Sequence, residues 1–384
     1  MAPQPSRSSS RPLVALALAA IVVTAACGPS LGSASPNPLP TATASPAASP
    51  SDNPTPAPTA TPEPSTEPTP APAAAWRQLE PAGSAPSARE DGTWTEQPGG
   101  RTAYLFGGRD GGTILDDLWV FDLDSDSWTR LAPEGQKPPA RFGHEAVWVD
   151  GVGVVIFAGQ AGPTTFFDDL WAYDPDANRW RRLPGDGARP IGRYGSCAAL
   201  GPDGRLWISH GFTEDGTRFA DTRAYDFTAG RWSDETPAGQ APVNRCLHGC
   251  WWTDDGRFAL YAGQTTGVEA LGDLWSLSGA GTTSAAWARQ GGDVPLDRNL
   301  YAFARHGGEI VVVGGRGLEQ TFLDDAFTVD AASLTIEPLE PTGPKPPGRG
   351  GAMLIDDPAG ARVVLFGGKT SSGALADIWE LSLP

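Results

Sequence analysis

The chain has 384 residues, with 48 Gly, 38 Pro, 14 Trp and 4 Cys, and 45 acidic against 28 basic side chains for a net charge of −17. That length exceeds one small core and fits two ordinary domains or one large all-β domain. The acidic balance excludes a protein that holds nucleic acid by neutralising phosphates, and abundant Gly, Pro and Trp with little sustained 3.6-residue periodicity excludes a helical fold.

Arg7 and Arg11 precede an uncharged run from Leu13 to Ala26. At fourteen residues it is short for a membrane span, which needs roughly 20 apolar residues. A positive start, a short apolar run and small residues make the order of a secretory signal over residues 1–27. Its end, Val23-Thr24-Ala25-Ala26-Cys27-Gly28, resembles a bacterial lipoprotein signal, although Thr24 stands where that family prefers Leu. The resemblance implies that Cys27 is lipidated and becomes the new N-terminus. The protein is then expected to be exported and anchored, by lipid alone, to the outer face of the cytoplasmic membrane or cell envelope.

Residues 28–75 hold 14 of the prolines, no Lys or Arg, and little besides Ala, Ser and Thr. Such a segment buries too little apolar surface to offset its ordering entropy. Pro-rich chain extends by about 3.1 Å per residue, so this stalk reaches on the order of 150 Å when fully extended.

The rest, residues 76–384, is a repeat array. An Asp recurs at Asp117, Asp169, Asp221, Asp273, Asp325 and Asp377, each step being 52 residues. An apolar run ends at Gly107-Gly108, Ala158-Gly159, His210-Gly211, Ala262-Gly263, Gly314-Gly315 and Gly367-Gly368. An Arg follows a Pro at Arg89, Arg141, Arg193, Arg245, Arg298 and Arg349, and Trp76, Trp128, Trp180 and Trp232 keep the same step. Trp287 and Ile336 take the equivalent places later. The second repeat shows four β-prone runs, His144 to Val149, Val154 to Ala158, Leu170 to Tyr173 and Trp180 to Leu183, joined by turn residues.

Tyr104-Leu105-Phe106-Gly107-Gly108, Asp117-Leu118-Trp119-Val120-Phe121-Asp122 and Trp128-Thr129-Arg130-Leu131, with their downstream counterparts, resemble the kelch repeat. The resemblance implies an all-β, six-bladed β-propeller with four antiparallel strands per blade. The last repeat stops after its third strand at Asp377-Ile378-Trp379-Glu380-Leu381, whereas Trp76-Arg77-Gln78-Leu79 is a fourth strand with no repeat before it. Trp76 to Leu79 is therefore expected to complete the last blade and close the ring, with the blade Trp residues filling the gaps between sheets.

In an up-and-down blade the loop after strand two and the loop before strand one share a face. The first set carries Arg109, Gln160, Phe212, Gln264, Arg316 and Lys369, and the second begins with the six repeated arginines. That face is expected to gather up to nine cations around the channel mouth, in a domain with 26 basic and 42 acidic side chains. Bidentate Arg suits carboxylates and phosphates, so an anionic ligand is the functional reading. The competing reading makes the six repeated arginines structural, each pairing with the periodic Asp or a loop carbonyl.

Catalytic signals are sparse. The four histidines are His144, His210, His248 and His306, and no pair has the spacing of a zinc site. Galactose oxidase uses a similar propeller, but no Tyr and His set for copper stands out. In the iron motif of plant kelch proteins that steer glucosinolate breakdown, Glu269 and Asp273 fit, but Leu277 occupies the His position. No metal and no cofactor are expected. The layout is also similar to bacterial sialic acid mutarotases, with Glu214, Glu269 and Glu319 as proton-transfer candidates. An exported domain favours disulfides. Cys246 and Cys250 on one strand are too far apart to bridge, whereas Cys197 and Cys250 have the opposite side-chain parity that lets neighbouring blades face each other, so these two are expected to approach between blades three and four. The functional expectation is a monomeric, non-catalytic module that binds a protein or glycan on its loop face. The alternative is a carbohydrate-active enzyme.

Overall fold

A computed structural model describes residues 73–291 and 297–384. The signal, the lipidation site Cys27 and the stalk as far as residue 72 lie outside the described residues. The fold begins slightly earlier than expected. Ala75 already belongs to a strand, Ala75–Leu79, and the Ala74 carbonyl accepts from the Thr342 amide at 2.9 Å.

Six antiparallel sheets form the blades, each with four main strands. Their innermost strands are Thr93–Glu96, Glu145–Val149, Cys197–Leu200, Gly249–Trp252, Ala302–His306 and Met353–Asp357 in blades one to six. The second strands carry uninterrupted apolar runs, as in Gly153–Phe157 and in residues 310–313, because neighbouring blades bury both of their faces. The turns between third and fourth strands repeat one device. The carboxylates of Asp122, Asp174, Asp226 and Asp330 accept from backbone amides two or three residues on, so the Asp that ends the third strand chooses the turn.

Closure is as expected: Ala75–Leu79 pairs with Ile378–Ser382, Trp76 opposite Leu381 and Leu79 opposite Ile378. Burial follows the junctions. Six apolar clusters are present among the described residues, one between each pair of neighbouring blades. The cluster between blades six and one joins Leu79, Trp94 and Trp128 to Ile355, Phe366 and Ile378. Trp residues do fill the gaps between sheets. Since every core is shared by two blades, no blade is complete alone.

Candidate functional site

The periodic residues first build a frame. Each repeated Arg reaches its own blade's periodic Asp through both terminal nitrogens, as Arg141 does to Asp169 at 2.7 and 3.1 Å. It also donates to the carbonyl before the second Gly of the repeated doublet, here Ala158 at 2.9 Å. The pairs Arg89–Asp117, Arg193–Asp221, Arg245–Asp273, Arg298–Asp325 and Arg349–Asp377 repeat this. Burial alone would raise the aspartates, but the paired guanidiniums outweigh it and hold Asp117, Asp169, Asp221, Asp273 and Asp377 below the ordinary carboxylate range.

Two closed rings of backbone hydrogen bonds then join the blades. The amides of Gly108, Gly159, Gly211, Gly263, Gly315 and Gly368 donate to the carbonyls of the next blade's Arg at 2.8–2.9 Å. These glycines have φ between +85° and +109°. A Cβ on Gly263 would lie 2.7 Å from the Cys246 carbonyl, so Gly is required there, whereas the preceding position, near φ +60°, accepts Ala158, His210 and Ala262. The inner ring consists of Asp91, Gly143, Gly195, Leu247, Leu300 and Gly351, all with φ between +53° and +66°. Each amide donates to the carbonyl of the preceding blade's member at 2.7–3.2 Å.

This frame corrects the expected cationic mouth. Arg89, Arg141, Arg193, Arg245, Arg298 and Arg349 are 0–2% exposed, so a ligand at the mouth does not reach them. Arg109 donates to Glu90 at 3.1 Å and to Asp91 at 3.2 Å, and Lys369 donates to Glu90 at 2.8 Å. The two cations are therefore balanced by two buried acids that the sequence reading passed over. The signal was available: Glu90-Asp91 follows Arg89 where Phe142-Gly143 follows Arg141. Tyr194 also donates its hydroxyl to Asp91 at 3.0 Å. Burial pushes Asp91 up to about 6, helped by the Glu90 charge and opposed by Arg109.

The remaining face candidates are dispersed. Gln264 contacts the Cys246 thiol, and Arg316 stands over the Phe322 ring. Among the described residues, buried polar atoms without a partner near the inner ring include Glu90 Oε2, Gln160 Oε1, Asn299 Oδ1 and Arg316 Nε. Phe142, Tyr194, Phe212 and Phe166 form a chain of edge-on aromatic contacts. Four large apolar side chains are exposed in the connections on this face, Ile191 at 63% and Val243 at 45% in loops, Leu318 at 55% in a short 3-10 helix and Val268 at 41% at the start of the strand Val268–Ser278. The Ile191 and Val243 carbonyls each accept from the Nε of a repeated Arg, which fixes the backbone that presents them. Glu214, Glu269 and Glu319 are exposed in the connections of three separate blades, Glu214 in a turn, Glu269 near the start of the strand Val268–Ser278 and Glu319 in a short 3-10 helix.

A cavity of about 540 Å³ runs along the axis. It opens away from that face. Asp91 and Tyr194, at the inner ring, are 7% and 5% exposed, whereas Leu200, at the other end, is 37% exposed. Sequence reasoning missed its polar lining, which includes Thr93, Glu96, His144, Glu145 and Ser196. Burial pushes Glu145 up to about 8, and it pushes Glu96 up to about 7 with help from the Asp356 charge. Burial, aided by the charge of Arg141, lowers His144 to about 3, so its ring is neutral. The sequence signal was a charged residue inside an otherwise apolar strand, Glu145-Ala146-Val147-Trp148-Val149.

Cys197 and Cys250 form a disulfide with a Cα separation of 5.7 Å, joining the innermost strands of blades three and four. Cys246 is a free, buried thiol, raised by burial. His210 and His248 approach at 5.4 Å between ring centroids, and His306 contacts Asp356 at 2.7 Å. Among the described residues no group of three or more His, Cys, Asp or Glu is placed to hold a metal ion.

A family model described as the KLHDC2/KLHL20/DRC7 Kelch-repeats domain matches residues 72–263 and 214–384. Similar proteins include Acyl-CoA-binding domain-containing protein 5 of Arabidopsis thaliana, 34% identical over 131 residues, 34% of this chain and 20% of that protein. Rab9 effector protein with kelch motifs of Gallus gallus is 26% identical over 205 residues, 53% of this chain and 54% of that one. Adagio-like protein 1 of Oryza sativa subsp. japonica is 28% identical over 349 residues, 80% of this chain and 52% of its own length. The chain thus spans about half or less of the length of these relatives.

Proposed function

The chain belongs to the kelch-repeat family of β-propellers, and on that premise we propose that it is a non-catalytic binding module, held outside the cell membrane, that takes a protein partner on its loop-lined face. The observation that carries this reading is the exposure of Ile191, Val243, Val268 and Leu318 in the connections of blades three to five on one face. Exposed aliphatic groups gathered on one face are what a protein interface covers. A glycan has less to gain there, since aliphatic side chains offer sugars no flat surface on which to stack. The similarity to a Rab9 effector protein with kelch motifs supports a protein partner in kind, not in identity.

Outward display rests on the signal-like residues 1–27 with Cys27 and on the disulfide, which persists in an oxidising compartment. Cys27→Ser should abolish incorporation of labelled fatty acid and release the chain from the membrane fraction. Photo-crosslinking side chains at Ile191, Val243 and Leu318 of the full chain should trap one common protein in cells. One placed at Ala359, exposed in a turn on the opposite face, should not. Equal trapping from both faces, or none from the loop face, overturns the reading.

A further inference from the structure

The axial cavity has a chemistry of its own, separate from the loop face. Blade three contributes Ser196, Cys197, Ala198 and Ala199, small side chains, with Ala199 where blade four has Trp251, so space is left beside blade two. The register across junctions repeats. Thr93 of blade one contacts His144 Nε2 of blade two at 2.8 Å, and the Gly249 amide donates to the Tyr301 hydroxyl at 2.6 Å in the equivalent positions of blades four and five. Glu145 and Ser196 hold these same positions at the junction of blades two and three. There the pattern is empty. Ser196, 3% exposed, has no partner for Oγ, the Glu145 side chain has no hydrogen-bond or ion-pair partner among the described residues, and the Glu96 carboxyl meets only its own backbone amide.

The titratable and charged groups along the cavity are Asp91, Glu96, His144, Glu145, Tyr194, His248, Tyr301 and Arg305, and burial keeps both tyrosine hydroxyls protonated. Asp91 is held by Arg109 and Tyr194. His144 and His248 are neutral, both lowered by burial. Arg305 donates to Asp254 and to the carbonyls of Trp252 and Gly307. The unpaired charge capacity of the cavity is thus acidic, with the aromatic Trp148 and Phe303 also in its lining. An anion meets two carboxyls and no unengaged cation. An ammonium meets a carboxylate partner, a hydroxyl acceptor and aromatic rings that favour cations.

We propose that the axial cavity binds a small organic cation, a primary or secondary ammonium compound, with Glu145 as its charge partner and Ser196 as a hydrogen-bond acceptor. The volume suits a compound of drug-like size or smaller. Proton balance gives the proposal its signature. Burial keeps Glu145 protonated at pH 7, so the ligand enters as the ammonium, Glu145 becomes a carboxylate, and its proton passes to the buffer.

Calorimetry on the full chain at about pH 7, in two buffers of different ionisation enthalpy, tests this with three probes of one shape: benzylamine, benzyl alcohol and benzoate. Benzylamine should bind with release of about 0.9 proton, the protonated fraction about one unit below the Glu145 midpoint. The alcohol and benzoate should bind at least about tenfold more weakly, and Glu145→Gln should weaken benzylamine by at least about tenfold. No benzylamine binding in the millimolar range, binding without proton release, equal binding of the alcohol, or full affinity in Glu145→Gln each overturns the proposal. Should Glu145→Gln fail to fold, the carboxyl carbon shift of Glu145 in the unaltered chain decides. Saturating benzylamine should lower its titration midpoint by about one unit or more, and an unmoved midpoint sinks the proposal.

Discussion

The ring of Tyr194 lies over Gly143 so closely that a β-carbon on Gly143 would fall 1.9 Å from it. Gly143 also sits at φ +58° in the inner ring, one blade before Tyr194. Gly143→Ala should therefore destabilise the propeller by about 2–4 kcal/mol, combining left-handed backbone strain with overpacking. In a Tyr194→Ala background the same change should cost less, because the clash is gone. Urea unfolding of the four proteins reads the difference as a coupling energy, and equal costs in both backgrounds would remove the contact from the explanation.

The buried pairs make a second prediction. Arg141 is fully buried against Asp169, so Arg141→Gln or Asp169→Ala leaves a charge or its donors without a partner, at a cost of about 3–5 kcal/mol. Lys137 and Asp116 also meet at 2.7 Å, but both are more than 40% exposed, so Lys137→Gln should cost below about 1 kcal/mol. The ratio of the two costs, measured by urea unfolding, separates frame from surface.

The disulfide between Cys197 and Cys250 closes a loop across 53 residues, and chain-entropy reasoning assigns such a loop about 4 kcal/mol. Cys197→Ser with Cys250→Ser should lower the unfolding free energy by about 2–4 kcal/mol. Without reductant, digestion should yield a linked Cys197–Cys250 peptide, while Cys246 should label with iodoacetamide after unfolding only.

The acid groups of the cavity set a pH dependence opposite in sign to that of the buried ion pairs. Glu145 has its folded value raised from 4.5 to about 8, so native protein prefers it protonated, and stability falls as pH rises from 4.5 through 8. The periodic aspartates are lowered, so their contribution is present above the unfolded value near 3.8 and is lost as pH falls through the folded one. Glu145→Gln should remove the first effect alone. The variant should gain on the order of 2 kcal/mol over the parent between about pH 5 and pH 8.5, and little at the lower end. A constant difference across that range would mean that Glu145 does not titrate as described.

Much of this was legible because each repeat announces itself. The 52-residue step, the second Gly of each doublet and the Arg before each first strand are demanded by local geometry that recurs in every blade. The role of the repeated arginines stayed open in the sequence, because an Arg 28 residues before an Asp is equally a surface pair or a buried one. Burial between blades resolved it. Tyr194 shows the same limit: its hydroxyl bonds Asp91, which lies 103 residues away.

The sequence by itself determined the number of blades, their strand order and the closing strand at Trp76–Leu79, because each blade's partner is simply the next repeat and nearest-neighbour packing repeats with the chain. Tertiary structure alone decided the charge of the mouth and the chemistry of the axis. Lys369 meets Glu90 across 279 residues, and the cavity is the space left by strands from all six blades. Neither is a property of any repeat; each arises where the ring brings unlike repeats to one axis, and there burial sets which groups keep their charge.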